Sequence, residues 1–182
     1  HLEYYGSFEH LKESYRSFIR NLPFYGFAAV CKDHHEVEKL IQDVQDRKII
    51  TYGIDSNNLD IKAVNIVETM DGSTFDVEIS ERVIGQESTI EKIYLPMPGR
   101  HNILNALSAV AIGVRLKFKK RYIVDAFVKS QGVKRRFTKT GKVNDALVID
   151  DYAHHPEEIK ATLRTARQVS KQDKDARIIA II

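Results

Sequence analysis

Apolar residues in the first part of the chain recur at helical spacing and then gather into short unbroken runs. Phe8, Leu11, Tyr15, Phe18 and Ile19 share one face of a helix that the spacing places between Phe8 and Leu22. Asn21-Leu-Pro-Phe-Tyr-Gly26 stops it, with Pro23 and Gly26 as breakers. Phe27–Cys31 and Ile49–Gly53 read as apolar strands. Between them Asp33 is placed to cap a helix reaching about Gln45, with Val37, Leu40, Ile41 and Val44 inward. Strand, helix and strand in this order predict a parallel α/β unit. From residue 60 the period shortens to two: Ile61 and Ala63, then Phe75, Val77 and Ile79, alternate around Asp71-Gly72, a strong hairpin signal. Ile90–Leu95 adds a third antiparallel strand.

Helical spacing returns over His101–Leu116 (Leu104, Leu107, Ala111, Val114) and over Arg121–Lys129. Ala146–Asp150 reads as a strand. A helix opens at Pro156, where the missing amide costs nothing, and Glu157 and Glu158 suit its positive end. Ala176–Ile182 has the β-branched run of a strand buried on both faces. A chain that starts at His1 and stops inside such a run reads as a segment of a longer protein. Gln131-Gly132 is the expected boundary between two domains, 1–131 and 132–182.

Composition narrows the class. Twenty-eight cations against 25 anions leave +3, too balanced for a nucleic-acid sleeve, and 43% hydrophobic residues suffice for a core. No apolar run reaches the ~18 residues of a membrane span. One cysteine, Cys31, excludes an intrachain disulfide, and Cys31, His34 and His35 lack the second ligand pair of a zinc finger.

Three segments carry candidate chemistry. Asp150-Asp-Tyr-Ala-His-His-Pro156 joins a strand end to a helix start, the edge where parallel α/β sheets bind ligands. The same residues also fit a turn in which the aspartates cap backbone amides. Asn102 and Asn105, three apart with His101 beside them, could present paired amides to a base such as adenine, or cap a helix. Gly132-Val-Lys-Arg-Arg-Phe137 sets three cations beside a glycine, suited to phosphate oxygens or simply to solvent. Lys117–Arg121 reads as a helix end with favourable dipole charges.

Asn21-Leu-Pro-Phe-Tyr-Gly26, Met97-Pro-Gly-Arg-His-Asn-Ile-Leu-Asn-Ala106, Gly132-Val-Lys-Arg-Arg-Phe137 and Asp150-Asp-Tyr-Ala-His-His-Pro156 stand in the order and spacing of the Mur ligase family. Together they resemble most the branch that joins L-alanine to UDP-N-acetylmuramate in peptidoglycan precursor synthesis. The resemblance implies an α/β fold: residues 1–131 as the second half of a central ATP-binding domain, with a mixed sheet, an antiparallel hairpin patch and flanking helices. Residues 132–182 would open a Rossmann-like C-terminal domain. It implies a bacterial cytoplasmic enzyme using ATP and magnesium, which phosphorylates the muramoyl carboxylate and lets the amine of L-alanine attack the acyl phosphate. It assigns His1 to magnesium, His101, Asn102 and Asn105 to the adenine side, Asp151 to the ribose, and Arg136 to the phosphates. Tyr152 and His154 line the side where substrate and amine meet, His154 with a catalytic part beside Arg136. Sister ligases carry a carbamoylated lysine where this chain reads Tyr15-Arg16-Ser17, so that modification is not expected. No G-x-x-x-x-G-K-[ST] loop occurs in these residues, and the segment alone is expected to be inactive. The alternatives are the related ligase that recycles murein tripeptide and a non-catalytic nucleotide-binding module.

Overall fold

A computed structural model describes residues 2–44, 46–130, 132–144, 146–170 and 175–181. Two short-range helices, α1 (Leu2–Tyr5) and α2 (Phe8–Arg20), lead into β1 (Ala28–Cys31), α3 (His35–Gln42) and β2 (Ile49–Gly53). Then come β3 (Ile61–Glu68), β4 (Ser73–Ile79), the single turn α4 (Glu81–Ile84) and β5 (Ser88–Leu95). Helices α5 (Arg100–Arg115) and α6 (Lys120–Lys129) follow, and the chain continues as β6 (Thr138–Val143), β7 (Ala146–Asp150) and α7 (Pro156–Ser170). The first five strands form one sheet in sequential order; β1–β2 and β2–β3 pair parallel, β3–β4 and β4–β5 antiparallel. This is the mixed α/β sheet with an antiparallel patch that the hydrophobic pattern predicts.

Period-two alternation decides which helix covers which face. Ile50, Ile61, Ala63, Phe75, Val77, Ile93 and Leu95 meet Ile103, Leu107, Val110 and Ala111 of α5, with Ile123 of α6 closing the layer. The neighbours Ala28, Val30 and Ile49 face the other way, toward Ile19 of α2 and Leu40 and Val44 at α3. The hairpin turn closes with the Thr69 amide donating to the Gly72 carbonyl at 2.8 Å, and a side chain at Gly72 would run into the Leu95 carbonyl. Within this sheet the β3–β4 and β4–β5 pairings each carry a register shift. Asp76 holds both: its carboxylate accepts the Asn65 amide at 2.8 Å and the Lys92 backbone N–H at 2.7 Å, and Asn65 and Lys92 stand at φ 52° and 55°. The Asn65 bond, then the Lys92 bond, holds the Asp76 carboxyl below its ordinary range.

Three sequence expectations change. Asp33 does not cap α3; His34 stands at that cap without a side-chain bond. The Asp33 carboxylate reaches across instead to the amides of Ile54 (2.7 Å), Ser56 (2.9 Å) and Asp55 (3.2 Å). Burial pushes this carboxyl up, but the amide bonds together outweigh it and hold it below its usual value. Second, Thr138–Val143 forms a strand with no apolar pattern to announce it, because β7 supplies the antiparallel partner. Third, residues 176–181 are not a strand: Ile179 and Ile181 are 85% and 96% exposed. A buried parallel strand needs neighbours to take its amides, and none of the described strands pairs with this run. Of the expected boundary, Gln131 lies outside the described residues; Gly132 adopts a left-handed φ of 72°.

Candidate active site

The site is built where β7 gives way to α7. Glu158 reaches back so that one carboxylate oxygen accepts the amides of His154 (3.2 Å) and His155 (3.3 Å), while the His155 carbonyl accepts the first helical bond from Ile159. Pro156 has no amide to satisfy. The His154 amide does most to hold the Glu158 carboxyl below its ordinary range, and the positive charge of Arg136 adds to this.

Asp151 is the knot of the turn. One carboxylate oxygen accepts the Phe137 amide and the other the Ala153 amide, both at 2.8 Å. The Tyr152 amide donates to the Arg135 carbonyl at 2.9 Å. The cationic segment is thus pinned to the turn in an unusual shape: Gly132, Arg135 and Phe137 stand at φ 72°, 58° and 50°, the last with its ring buried. Only glycine takes such angles without strain. The shape sends neighbouring arginines to different tasks. Arg135 lies 3.4 Å from Asp150 and stacks 4.9 Å over the Tyr152 ring. Arg136 is half-buried and turns its charge on His101 and Glu158.

From the other side comes the start of α5. Gly99 precedes it at φ 102°, and a Cβ there would lie 2.6 Å from the Thr165 hydroxyl on α7. Burial pushes the His101 imidazole below its ordinary value; Asp151 and Glu68 pull it up, and Arg136 pushes it down. The ring is therefore neutral at neutral pH. An unfolded chain protonates it near pH ~6.5, the folded chain only at lower pH, so acidification from about 6.5 removes stability until the folded group also titrates. Urea midpoints between about pH 7.5 and 5 will fall less for His101→Gln than for the parent. Parallel pH profiles would refute the neutral buried ring.

The two asparagines do not form the expected pair. Asn102 is 2% exposed and donates its side-chain amide to the Pro98 carbonyl at 2.7 Å, fixing the helix start. Asn105 is exposed. Successive positions at a helix start straddle the burial boundary, so a spacing of three put one amide inside and one outside. The Tyr152 and His154 rings meet at 5.0 Å, tilted 58° to each other, and His154 Nδ1 lies 3.0 Å from the Tyr152 carbonyl.

The structure therefore brings His101, Arg136, Asp151, Tyr152 and His154 to one junction, adds Glu68, which no local pattern marks, and keeps Asn105 outward on the same helix as His101. His1 lies outside the described residues. Among those described, no group of three carboxylate, imidazole or thiol side chains is placed to hold a metal ion. Burial raises the Cys31 thiol, which fits a strand residue rather than a reactive thiolate. A cleft of about 570 Å³ lined by Asp60, Lys62, Glu78 and Arg82 contains none of these groups. Its Asp60 is already committed to the Thr51 amide and hydroxyl. No helix among the described residues is long and apolar enough to cross a membrane.

Comparison with known proteins points to one family. The Mur ligase middle domain matches residues 1–113, and the Mur ligase glutamate ligase domain matches 135–182. The chain is 55% identical over 181 residues to UDP-N-acetylmuramate–L-alanine ligase of Rickettsia prowazekii, covering all of this chain and 36% of that protein. The enzyme of the same name from Rickettsia felis is 54% identical, with 38% of its length covered. The chain thus spans little more than a third of these relatives. Among solved structures, the UDP-N-acetylmuramate-alanine ligase MurC of Thermotoga maritima superposes with a TM-score of 0.70 at 26% identity, over 93% of this chain and 36% of that one. MurF of Acinetobacter baumannii gives 0.73 at 24% identity, over 95% and 35%, a likeness of fold alone. With the family's middle domain matched over more than half of its residues, and the glutamate ligase domain over its last part, the chain belongs to the Mur ligase family.

Proposed function

We propose that this chain is the nucleotide-facing and amine-facing junction of an enzyme that joins L-alanine to UDP-N-acetylmuramate at the expense of ATP, in the bacterial cytoplasm. The observation that carries the reading is the meeting of the α5 start with the Asp151–His155 turn, in a chain 55% identical to a ligase of that name. The muramoyl carboxylate attacks the γ-phosphorus of ATP, giving an acyl phosphate and ADP. The amine of L-alanine then adds to the acyl carbon, and phosphate leaves with the former C–O bonding pair. Such chemistry is governed by positioning and by neutralising charge on the transferring oxygens.

Arg136, half-buried and aimed at the junction, supplies a fixed positive charge for the phosphates. Asp151 keeps lone pairs beyond its two amide bonds for a ribose hydroxyl. His101 and Asn105 face the base, with Asn102 holding their helix in place. Tyr152 and His154 stand on the amine side. Magnesium, with His1 as a ligand, would screen phosphate charge; the roles given to the described residues do not depend on it. Residues 1–131 and 132–182 act as two bodies hinged at Gln131-Gly132.

In the full-length protein, ADP and phosphate release will require ATP, L-alanine and UDP-N-acetylmuramate together. Release without either co-substrate, or none at all, would overturn the reading. Asn105→Ala will raise the KM for ATP about 2- to 10-fold, the worth of one net hydrogen bond of ~0.5–1.5 kcal/mol, and leave that for L-alanine in place. An unchanged KM for ATP removes Asn105 from the site.

A further inference from the structure

We infer that Glu68 is a positioning residue that couples the start of α5 to α7, and so sets how the two halves of the proposed site face each other; the inference rests on the ligase reading above. Glu68 is the last residue of β3, paired antiparallel with Ser73 where the β3–β4 hairpin turns. One carboxylate oxygen accepts the Gly99 amide at 3.0 Å, and the other accepts the Gln168 side-chain amide at 2.6 Å. Gly99 is the residue on which α5, with His101 and Asn105, begins. Gln168 lies on the helix that begins at the His154–Pro156 turn. A single side chain therefore spans the two elements that carry the site.

The surroundings make this contact a fixed point. Gly99 approaches α7 so closely that only a glycine fits against Thr165, which is buried and donates its hydroxyl to the Ala161 carbonyl at 3.0 Å. Within the same hairpin turn, Asp71 accepts from Lys139 of β6 at 2.6 Å, so one hairpin tip meets two elements of the C-terminal part. Gly132, in the connection between the parts, leaves room for no more than a tight contact with Met97, the residue leading into the Gly99 loop.

The chemistry of the contact requires a carboxylate. Both partners are donors, and a carboxylate accepts with both oxygens, each bond strengthened by its charge. A carboxamide in its place can accept from only one and turns an N–H toward the other. Exchanging the two residues restores the match, because the amide then faces an acceptor on α7 while its oxygen still takes the Gly99 amide.

The test uses the full-length protein, with hydrogen exchange followed by mass spectrometry over residues 97–104 and 161–170 and with steady-state kinetics. Glu68→Gln and Gln168→Ala will each speed exchange in 161–170 by about fivefold or more and lower kcat about tenfold, with all three KM values within about threefold. Gln168 is an exposed helix position, so its alanine variant folds. The double variant Glu68→Gln/Gln168→Glu will return exchange and kcat to within about twofold of the parent, a rescue that a general loss of stability would not give. Unchanged exchange and kcat in both single variants, or a double variant no better than Glu68→Gln, would overturn the inference. Should the parent lack ligase activity while exchange follows the expected pattern, the ligase reading falls and the coupling stands.

Discussion

In the full-length protein, His154→Ala will lower kcat of the proposed reaction about 100-fold, the usual scale for a positioned acid–base group, and leave the KM for ATP within about twofold. The reason lies in the hydrogen bond of its ring. Nδ1 lies 3.0 Å from the Tyr152 carbonyl, which only accepts, so Nδ1 is the donor of this contact and the ring is held in one orientation. An imidazole fixed beside the amine can serve as the acid–base group of the step. The ribose and phosphates are assigned to Asp151 and Arg136, so nucleotide affinity is spared. His155 makes the internal control. Its Nδ1 sits 3.5 Å from the Glu157 amide and its carbonyl opens α7, both helix-start duties. His155→Ala costs a fraction of a kcal/mol of helix stability and changes kcat less than about threefold. Small, equal effects at the two positions would show that both histidines only dress the helix start.

Asp151→Ala acts on the fold before it acts on chemistry. Two half-buried amides lose their acceptors, at a cost of about 2–4 kcal/mol in total. Phe137 and Arg135 then lose one of the ties that hold their left-handed backbone angles, and Arg136 loses its aim at the junction. Urea unfolding will show the loss of stability, with Asp151→Asn intermediate because its carboxamide oxygen still accepts one amide. A variant that keeps parental stability and only raises the KM for ATP would show that Asp151 touches nucleotide and does not tie the turn.

The legible parts of the fold are those whose burial is set locally. Ile61, Ala63, Phe75, Val77 and Ile79 alternate because one face of their sheet packs on α5, and Asp71-Gly72 marks the turn between them. β6 was hidden because Thr138–Val143 is exposed and polar, and its strand character is lent by β7. The run at residues 176–181 misled in the opposite direction: β-branched composition favours a strand but cannot supply its neighbour. Asp33 before a helix is a cap by local chemistry, yet three amides at 54–56 offered more bonds than one helix end. The residues of the Asp150–Pro156 turn could be read directly, since they are contiguous. Glu68 could not, because both its partners come from distant parts of the chain.

The order of strands in the sheet also bears on how the chain reaches this structure. β3, β4 and β5 follow one another along the chain and pair with their sequence neighbours, so their ladders close short loops. The parallel pairing of β1 with β2 must wait for α3 to form and cross between them. Contacts of low sequence separation form sooner. The meander therefore offers the earliest template in folding, α5 arrives next to cover its apolar face, and the long-range contacts between α5 and α7 come last. The junction that would carry out chemistry is the final part of the molecule to be assembled, and the first that a destabilising change would release.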